Sequence, residues 1–426
     1  MRGNKPLAKA GGLILSSAPT DLADWQRRFK MARRERDLIL FGPKYDHTFN
    51  MVDFLVRELK LDAKEIAKAV TTIGEAMDND NTRSGGGEGD KFWPIKVRQT
   101  METSVEIVRQ AEGEVSMPRL HEFIVTAAQS QVSINSPEWQ AKFHNQCFAK
   151  SHGKWKNKIE QADWENGQRY WLSEWVNMDA KPRSGIEAGV TGILHVFNSG
   201  VVRSLVSEPS TITPKVMDEG KWVFVDMSVG QYGSSGAFVL NAWRYATQKY
   251  VISRDPATWV NPIICWADEA GKIVNSADSF YLTESRKFGG ASVFLSQSVQ
   301  NFSAAIPGER GRAMAELLTG CFSTRIIHAC DTSTAEFASK ALGQELKIHY
   351  GWSPPKEQSA WKLMRGYCEA NVNAHQHMAP VLESREFMHG LRTGGPPHCV
   401  ADAIVLRTGL PFSTGQSYMK VAFKQR

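Results

Sequence analysis

Apolar positions follow two rhythms along the chain. Short runs that are apolar at nearly every position recur at residues 11–19 (GGLILSSAP), 38–43 (LILFGP), 221–228 (KWVFVDMS), 261–270 (NPIICWADEA), 291–298 (ASVFLSQS) and 323–330 (STRIIHAC). Runs of this kind predict strands buried on both faces, as in a parallel sheet, rather than alternating surface strands. Between them lie stretches of helical period. Residues 21–37 predict a helix with Asp21 as its cap and Leu22, Trp25, Phe29 and Ala32 as its apolar stripe. Residues 233–254 predict a long amphipathic helix, and residues 278–290 a helix carrying Arg286. Residues 56–203 break the alternation, with helix following helix and no lasting strand pattern. Strand and helix alternate on both sides of this block, so the expected class is α/β, a parallel sheet covered on both faces with an all-α insertion. Residues 401–423 read as a terminal hairpin added to an edge of the sheet.

Composition narrows the class of protein. A chain of 426 residues can bury a large core and fits two domains. With 42% hydrophobic and 23% charged residues it is ordinary for a soluble globular protein, and its formal charge of +6 permits a nucleic-acid partner without requiring one. The six cysteines (Cys147, Cys265, Cys321, Cys330, Cys368 and Cys399) show no CxxC spacing and read as reduced small hydrophobes in a cytoplasmic protein. No apolar run approaches the ~18 residues of a membrane helix, and the start MRGNKP has no signal-peptide core.

The strongest candidate chemistry stands at the end of the run at residues 263–267. Asp268 and Glu269 fall where a parallel sheet presents side chains to a ligand, at the carboxyl ends of its strands. One carboxylate there can hold the water shell of Mg²⁺ while the next polarises an attacking water. The competing reading is a helix N-terminus enriched in acids. Other features read as structural. The Gly-rich residues 79–91 lead into Glu88, Asp90 and Phe92 rather than Lys and Ser or Thr, as a surface loop would. Trp93, Trp139, Trp155, Trp164, Trp171 and Trp175 could stack on bases, but at helical spacing they read as core. Arg27, Arg28, Lys30, Arg33, Arg34 and Arg36 read as a solvated helix face, with a DNA or subunit contact as the sharper alternative. His375 and His377 are two apart and would share a metal only on a strand, so NAHQHM reads as a polar loop. His389 and His398 flank LRTGG with no acid or nucleophile beside them.

Taken together, WADEA, RKFGGASVFLSQS, AELLTGCFSTRIIH, DTSTAEFASKALG and the closing LRTGGPP resemble the coupling ATPases of type IV secretion and conjugation. These are TraD/TraG-type proteins, in the FtsK/HerA group of RecA-like DNA motors. The resemblance extends from about Gly11 to the C-terminus and includes Phe49-Asn50, Ile212 to Pro214 and Leu342-Gly343. It implies a RecA-like nucleotide-binding core formed by residues 1–55 and 206–426, with residues 56–205 as the inserted all-α domain. It implies that Asp268, through water, and Glu269 form the Walker B pair of a Mg²⁺-ATP site. It also implies that Gln297 senses the γ-phosphate and that Arg286 reaches into a neighbouring subunit's site. The implied partners are single-stranded DNA, relaxase and the secretion channel, the implied assembly a homo-hexamer, and the implied place of work the cytoplasmic face of the inner membrane.

One element of the family is missing from the sequence. Nothing fits GxxxxGK followed by Ser or Thr; Gly153-Lys154, Gly220-Lys221 and Gly271-Lys272 are followed by Trp, Trp and Ile. The family carries that phosphate loop just before the segment equivalent to Gly11, and a membrane anchor before that, so the expectation is a chain that starts after both. Loss of the phosphate-loop strand predicts exposed apolar edges on the strands at residues 13–16 and 263–267. Two functions follow: the larger part of a DNA-translocating ATPase, or a non-hydrolysing paralogue that binds DNA, relaxase or an accessory protein. A motor that packages phage or chromosomal DNA is a third.

Overall fold

The computed structural model describes residues 9–16, 20–75, 92–195, 197, 200–258, 261–306, 311–353, 361, 364–365 and 371–425. The Gly-rich segment 79–91 lies outside the described residues. The chain forms two units, Met1–Ser296 with Phe302–Leu318, and Gln297–Asn301 with Thr319–Arg426.

The first unit is built on five parallel strands: β1 (Gly11–Leu15), β2 (Leu38–Phe41), β3 (Trp222–Val225), β4 (Ile263–Ala267) and β5 (Gly290–Phe294), in the order β2-β3-β1-β4-β5. β1 is therefore the middle strand, and Leu13, Ile14 and Leu15 are fully buried. This corrects the expectation of exposed edges. The strands at residues 11–15 and 263–267 pair directly with one another, Leu13 with Cys265 and Leu15 with Ala267, while β3 closes the other side of β1. The edges of the sheet are β2 and β5.

Side chains alternate across the sheet. On one face Ile14, Trp222 and Phe224 pack with Phe29, Leu22 and Trp25 of α1 (Asp21–Met31), joined by Ile264 and Trp266. Gly12 is required for this packing. A Cβ there would lie 2.4 Å from the Ile264 carbonyl oxygen and 2.6 Å from the Trp222 ring. Gly12→Ala is accordingly expected to cost about 1–3 kcal/mol, read as a lower urea midpoint; an unchanged midpoint would show that the β4 backbone at Ile264 and the Trp222 ring can both move aside.

The helical block separates β2 from β3 in sequence although the two strands pair. Its longest helix, α2 (Phe92–Glu112), packs against α3 (Met117–Val125) and α4 (Phe143–Ser151). Trp139, Trp164, Trp171 and Trp175 are buried there as core, whereas Trp93 is 41% exposed. α5 (Val229–Ser253) packs on β1 and is interrupted at Gly233, whose φ of 55° and ψ of −135° break the helix. It is not amphipathic as expected: nearly every residue from Gly236 to Val251 is buried, because sheet and helical block cover it from different sides. α6 (Ser276–Glu284) follows β4 and ends in a 3-10 turn, Ser285–Phe288.

The second unit holds β6 (Thr324–Ile327), α7 (Thr332–Leu342), β7 (Gln344–Ser353), β8 (Asn371–Pro380), α8 (Ser384–His389), β9 (Val400–Arg407) and β10 (Tyr418–Lys424). β9 and β10 form the expected terminal hairpin, but it pairs antiparallel with β6 in a separate three-stranded sheet. The run at residues 323–330 thus belongs to that sheet, not to the parallel one. α7 and α8 close its core through Ala335, Ala338 and Phe387 against Ile327, Ile404 and Leu406. The LRTGG turn is structural here. Arg392 clasps Asp402 through Nε and Nη2 at 2.9 and 2.8 Å, and this pairing holds the Asp402 carboxyl down at about 2. NAHQHM is not a loop: its residues lie within β8, which pairs with β7 along its whole length.

Candidate functional site

The parallel sheet fixes where the acids stand. β4 alternates buried Ile263, Cys265 and Ala267 with half-buried Ile264 and Trp266, and the backbone N–H of Asp268 still donates to the carbonyl of Leu15 at 2.9 Å. Asp268 is thereby held at the carboxyl ends of β4 and β1. Glu269 leaves the strand with φ 45° and ψ 46°, a left-handed conformation that costs a non-glycine residue of order 1 kcal/mol. Its N–H donates to Asp268 Oδ1 at 2.9 Å, and the next N–H, of Ala270, donates to the Leu295 carbonyl beyond β5 at 2.8 Å. Both acids are half-buried. Glu269 is ion-paired with Lys272, on the turn that follows.

A third acid joins them. Asp21 does not cap α1 as expected; Thr20 takes the cap position and Asp21 is the first helical residue. Its carboxyl instead accepts the hydroxyl of Ser16, at the end of β1, at 2.5 Å and stands close enough to Asp268 to act on it electrostatically. Burial first, then the neighbouring Asp21 and Glu269 carboxyls, push Asp268 above the ordinary carboxylate range, against the opposing pull of the Glu269 N–H. Sequence reasoning missed this role of Asp21. An acid in the first helical turn after a strand is a common cap, and only the adjacency of β1 and β4 turns it toward Asp268.

Of the other two predicted residues, Arg286 does not join the acids. Arg286 is exposed on the 3-10 turn before β5. Gly290 pairs with Ile263 in parallel register and Ile263 N–H donates to the Gly289 carbonyl, so Arg286 is at the amino edge of the sheet. The acids occupy the opposite edge, about 16 Å of strand away. Gln297 is exposed, lies two residues beyond Leu295 and groups with the second unit. Of the Gly-Lys pairs, Gly220 caps a turn while Lys221 serves Asp37, and Lys154 donates to the Ala111 carbonyl. Lys272 alone of these three lysines reaches the acids.

Solved structures match this arrangement over nearly its whole length. The plasmid coupling protein TrwB in complex with the GTP analogue GDPNP aligns with a TM-score of 0.56 and 13% identity, covering 98% of this chain and 86% of that one. Its complex with the ATP analogue ADPNP gives 0.56, 13%, 98% and 84%, and its complex with ADP and Mg²⁺ gives 0.54, 13%, 98% and 85%. The chain has the fold of a conjugative coupling protein. That fold is the expected α/β, RecA-like one, here an all-parallel sheet flanked by helices. No family model and no curated protein sequence matches the chain. Among the described residues no helix is long and apolar enough to cross a membrane.

Asp268 and Glu269, joined through the Glu269 N–H, with Asp21 at the end of β1, put carboxyls at one end of the sheet that could meet the water shell of Mg²⁺, but among the described residues no three acids or histidines are grouped to hold a metal ion directly. The phosphate half does not fit: no lysine and backbone cradle of the GxxxxGK[ST] kind exists in the sequence.

Proposed function

We propose that this chain works as a coupling-protein ATPase subunit that helps pump single-stranded DNA and relaxase into a type IV secretion channel. The observation carrying this reading is the position of Asp268 and Glu269 at the carboxyl end of β4, beside the middle strand β1, in a coupling-protein fold. Asp268, with Asp21 beside it, would hold Mg²⁺ through water, and Glu269, once released from Lys272, would be the base that polarises a hydrolytic water. Gln297 contacts the γ-phosphate. Arg286, exposed at the other edge of the sheet, serves the site of a neighbouring subunit in a homo-hexamer, where it neutralises charge on the transferred phosphoryl group. Residues 56–205 form the inserted all-α domain between residues 1–55 and 206–426 of the nucleotide-binding core. The assembly works at the cytoplasmic face of the inner membrane, and its nucleotide phosphates need a lysine and backbone cradle of a kind that residues 1–426 do not spell out.

A second reading, a non-hydrolysing module that binds DNA, relaxase or an accessory protein, is favoured by one observation: Lys272 occupies Glu269 where a catalytic carboxylate would need to be available. The two are separated by ATP hydrolysis with Mg²⁺ and DNA, measured for the 426-residue chain and for a version extended upstream in frame. The expected result is turnover by the extended form alone, reduced at least about 10²-fold by Glu269→Gln. DNA binding with no turnover in either form would leave the binding module.

A further inference from the structure

The turn that leads out of α4 into the helix Lys158–Arg169 carries charge that the nucleotide site does not use. Residues 139–159 hold Lys142, Lys150, Lys154, Lys156 and Lys158 and not one Asp or Glu, and all five lysines are exposed. Gly153, at φ 78°, turns the chain, and Asn157 ends the turn by accepting the N–H groups of Ile159 and Glu160, each at 2.9 Å. Trp155 stands in this turn, not at the helical spacing of the core tryptophans, and is half-buried. Its ring lies against buried Trp164, with centroids 5.4 Å apart, and exposed His152 meets Trp155 and Trp164 edge-on at 5.5 and 5.3 Å. Trp164 is itself pinned through Nε1, which donates to Ser151 Oγ at 2.7 Å. The acids that approach the turn are engaged. Glu112 is shared between Arg119 at 3.2 Å and Lys150 at 3.8 Å, while Glu160 accepts the Lys156 backbone N–H at 2.7 Å and faces Arg109 at 3.9 Å. Lys154 Nζ donates to the Ala111 carbonyl at 3.3 Å, and among the described residues no carboxylate pairs with the ammonium groups of Lys154, Lys156 or Lys158.

We propose that this turn is a contact surface for single-stranded nucleic acid, with Lys154, Lys156 and Lys158 on the phosphates and Trp155, backed by Trp164, under an unpaired base. Only the choice of DNA as the strand rests on the coupling-protein reading; the surface rests on the residues themselves. Three ammonium groups on flexible stems follow a phosphate backbone without fixing its sequence, and each phosphate they neutralise releases counterions. An aromatic face held among lysines adds base stacking, which tolerates any sequence because every base has a π-face. A duplex keeps its bases stacked on one another and offers this turn its phosphates alone. An acidic protein segment would likewise engage the lysines and leave Trp155 unused. A turn that served only to join two helices would need neither the acid-free run nor a half-buried tryptophan among its lysines.

The test is fluorescence anisotropy of a labelled oligothymidylate of about 16 nucleotides with the 426-residue chain, between about 50 and 200 mM NaCl. The expected result is tighter binding than to a duplex of equal length, weakened at least about tenfold by Lys154→Gln/Lys156→Gln/Lys158→Gln, with the slope of log affinity against log salt shallower by about 2, or ~0.7 for each lysine. Trp155→Ala should weaken binding at least about fivefold at an unchanged slope, and Trp155→Phe should recover most of the loss. Lys340→Gln/Lys420→Gln/Lys424→Gln removes the same charge from exposed positions of the second unit and leaves the affinity unchanged. Circular dichroism checks that the variants stay folded, as substitutions at exposed positions should. An oligouridylate of the same length, bound more tightly than the oligothymidylate, would keep the surface and assign it to RNA. Four outcomes overturn the proposal: no binding of either single strand by the parent chain, affinity retained in the Lys154/Lys156/Lys158 variant, an equal loss in the second-unit control, or displacement of the oligothymidylate by poly-glutamate as effective as by its own unlabelled form. ATP turnover is measured separately, so a failed ATPase reading and a failed surface are told apart.

Discussion

Arg244→Met should destabilise the first unit by about 3–5 kcal/mol, because it leaves the Asp278 charge buried without its partner. Arg244 on α5 and Asp278 on α6 are 1% and 0% exposed, and Arg244 Nη2 lies 3.1 Å from Asp278 Oδ2. The same nitrogen donates to Asn241 Oδ1 at 2.8 Å. Asp278 also accepts from Gln248 Nε2 at 2.6 Å and from the Asn275 N–H at 2.8 Å, the latter as half of the capping box that starts α6. Since α6 begins just after the Asp268–Lys272 turn and the buried Ile273 and Val274, this network fixes the carboxyl-end loop of β4 from behind. Pairing Arg244→Met with Asp278→Asn should recover much of the loss. Asparagine brings no charge into the interior and keeps one acceptor oxygen, for the Asn275 N–H, while the Gln248 amide can turn to present its own oxygen to the new side-chain NH2. Urea unfolding of the two single variants and the double variant gives the coupling energy directly. A loss under about 1 kcal/mol from Arg244→Met would mean that water reaches Asp278 and that the network does not anchor the loop.

The contrast between that network and the strands it supports shows what a sequence exposes. Strands β1 to β4 were legible because burial on both faces demands apolar residues at nearly every position, and that composition is local. The order of the strands was not, because pairing is a long-range choice that leaves no local mark: the direct β1–β4 pair, and with it the approach of Asp21 to Asp268, follows from the 247 residues of intervening chain, 16–262, finding their place. Direction was hidden for the same reason. The run TRII at residues 324–327 reads like its parallel neighbours, yet it joins an antiparallel sheet with β9. The histidines of NAHQHM alternate with Ala374, Gln376 and Met378, a period of two, but without apolar weight that period looks like a loop until His349 is seen across the ladder. Asp268 and Glu269 were legible as a pair because their setting, an apolar strand running into acids, is contiguous. The pairing of Glu269 with Lys272 was not, since it depends on a left-handed turn that no sequence rule requires of a glutamate.

The helical block should weaken in mild acid, and His144 is the residue that makes it do so. The imidazole is fully buried in α4, stacked on Phe123 of α3 with ring centroids 4.3 Å apart, and walled by Trp139, Phe148 and Trp171. Neither ring nitrogen has a hydrogen-bond partner. Burial alone pushes its pKa down to about 3, against about 6.5 for an exposed histidine. The unfolded chain therefore binds a proton between those values that the folded chain refuses. Stability from this source is complete above about pH 6.5 and is lost as pH falls toward 3, by up to about 1.4 kcal/mol per pH unit, or about 2 kcal/mol at pH 5. Asp37 acts in a different window. Burial would raise it, but Lys9, Arg34 and Lys221 together hold it at about 2, so its contribution fades only below about pH 4. Comparing the chain with His144→Phe separates the two. Phenylalanine fills a similar volume, has no proton to take up and leaves no buried nitrogen unpaired. Between pH 7 and pH 5 the parent chain should lose about 2 kcal/mol more than the variant in urea unfolding, and below pH 4 the two should fall together as carboxylates protonate. Parallel curves down to pH 5 would mean that His144 gains its proton in place, with water or a carboxylate reaching it inside the aromatic cluster.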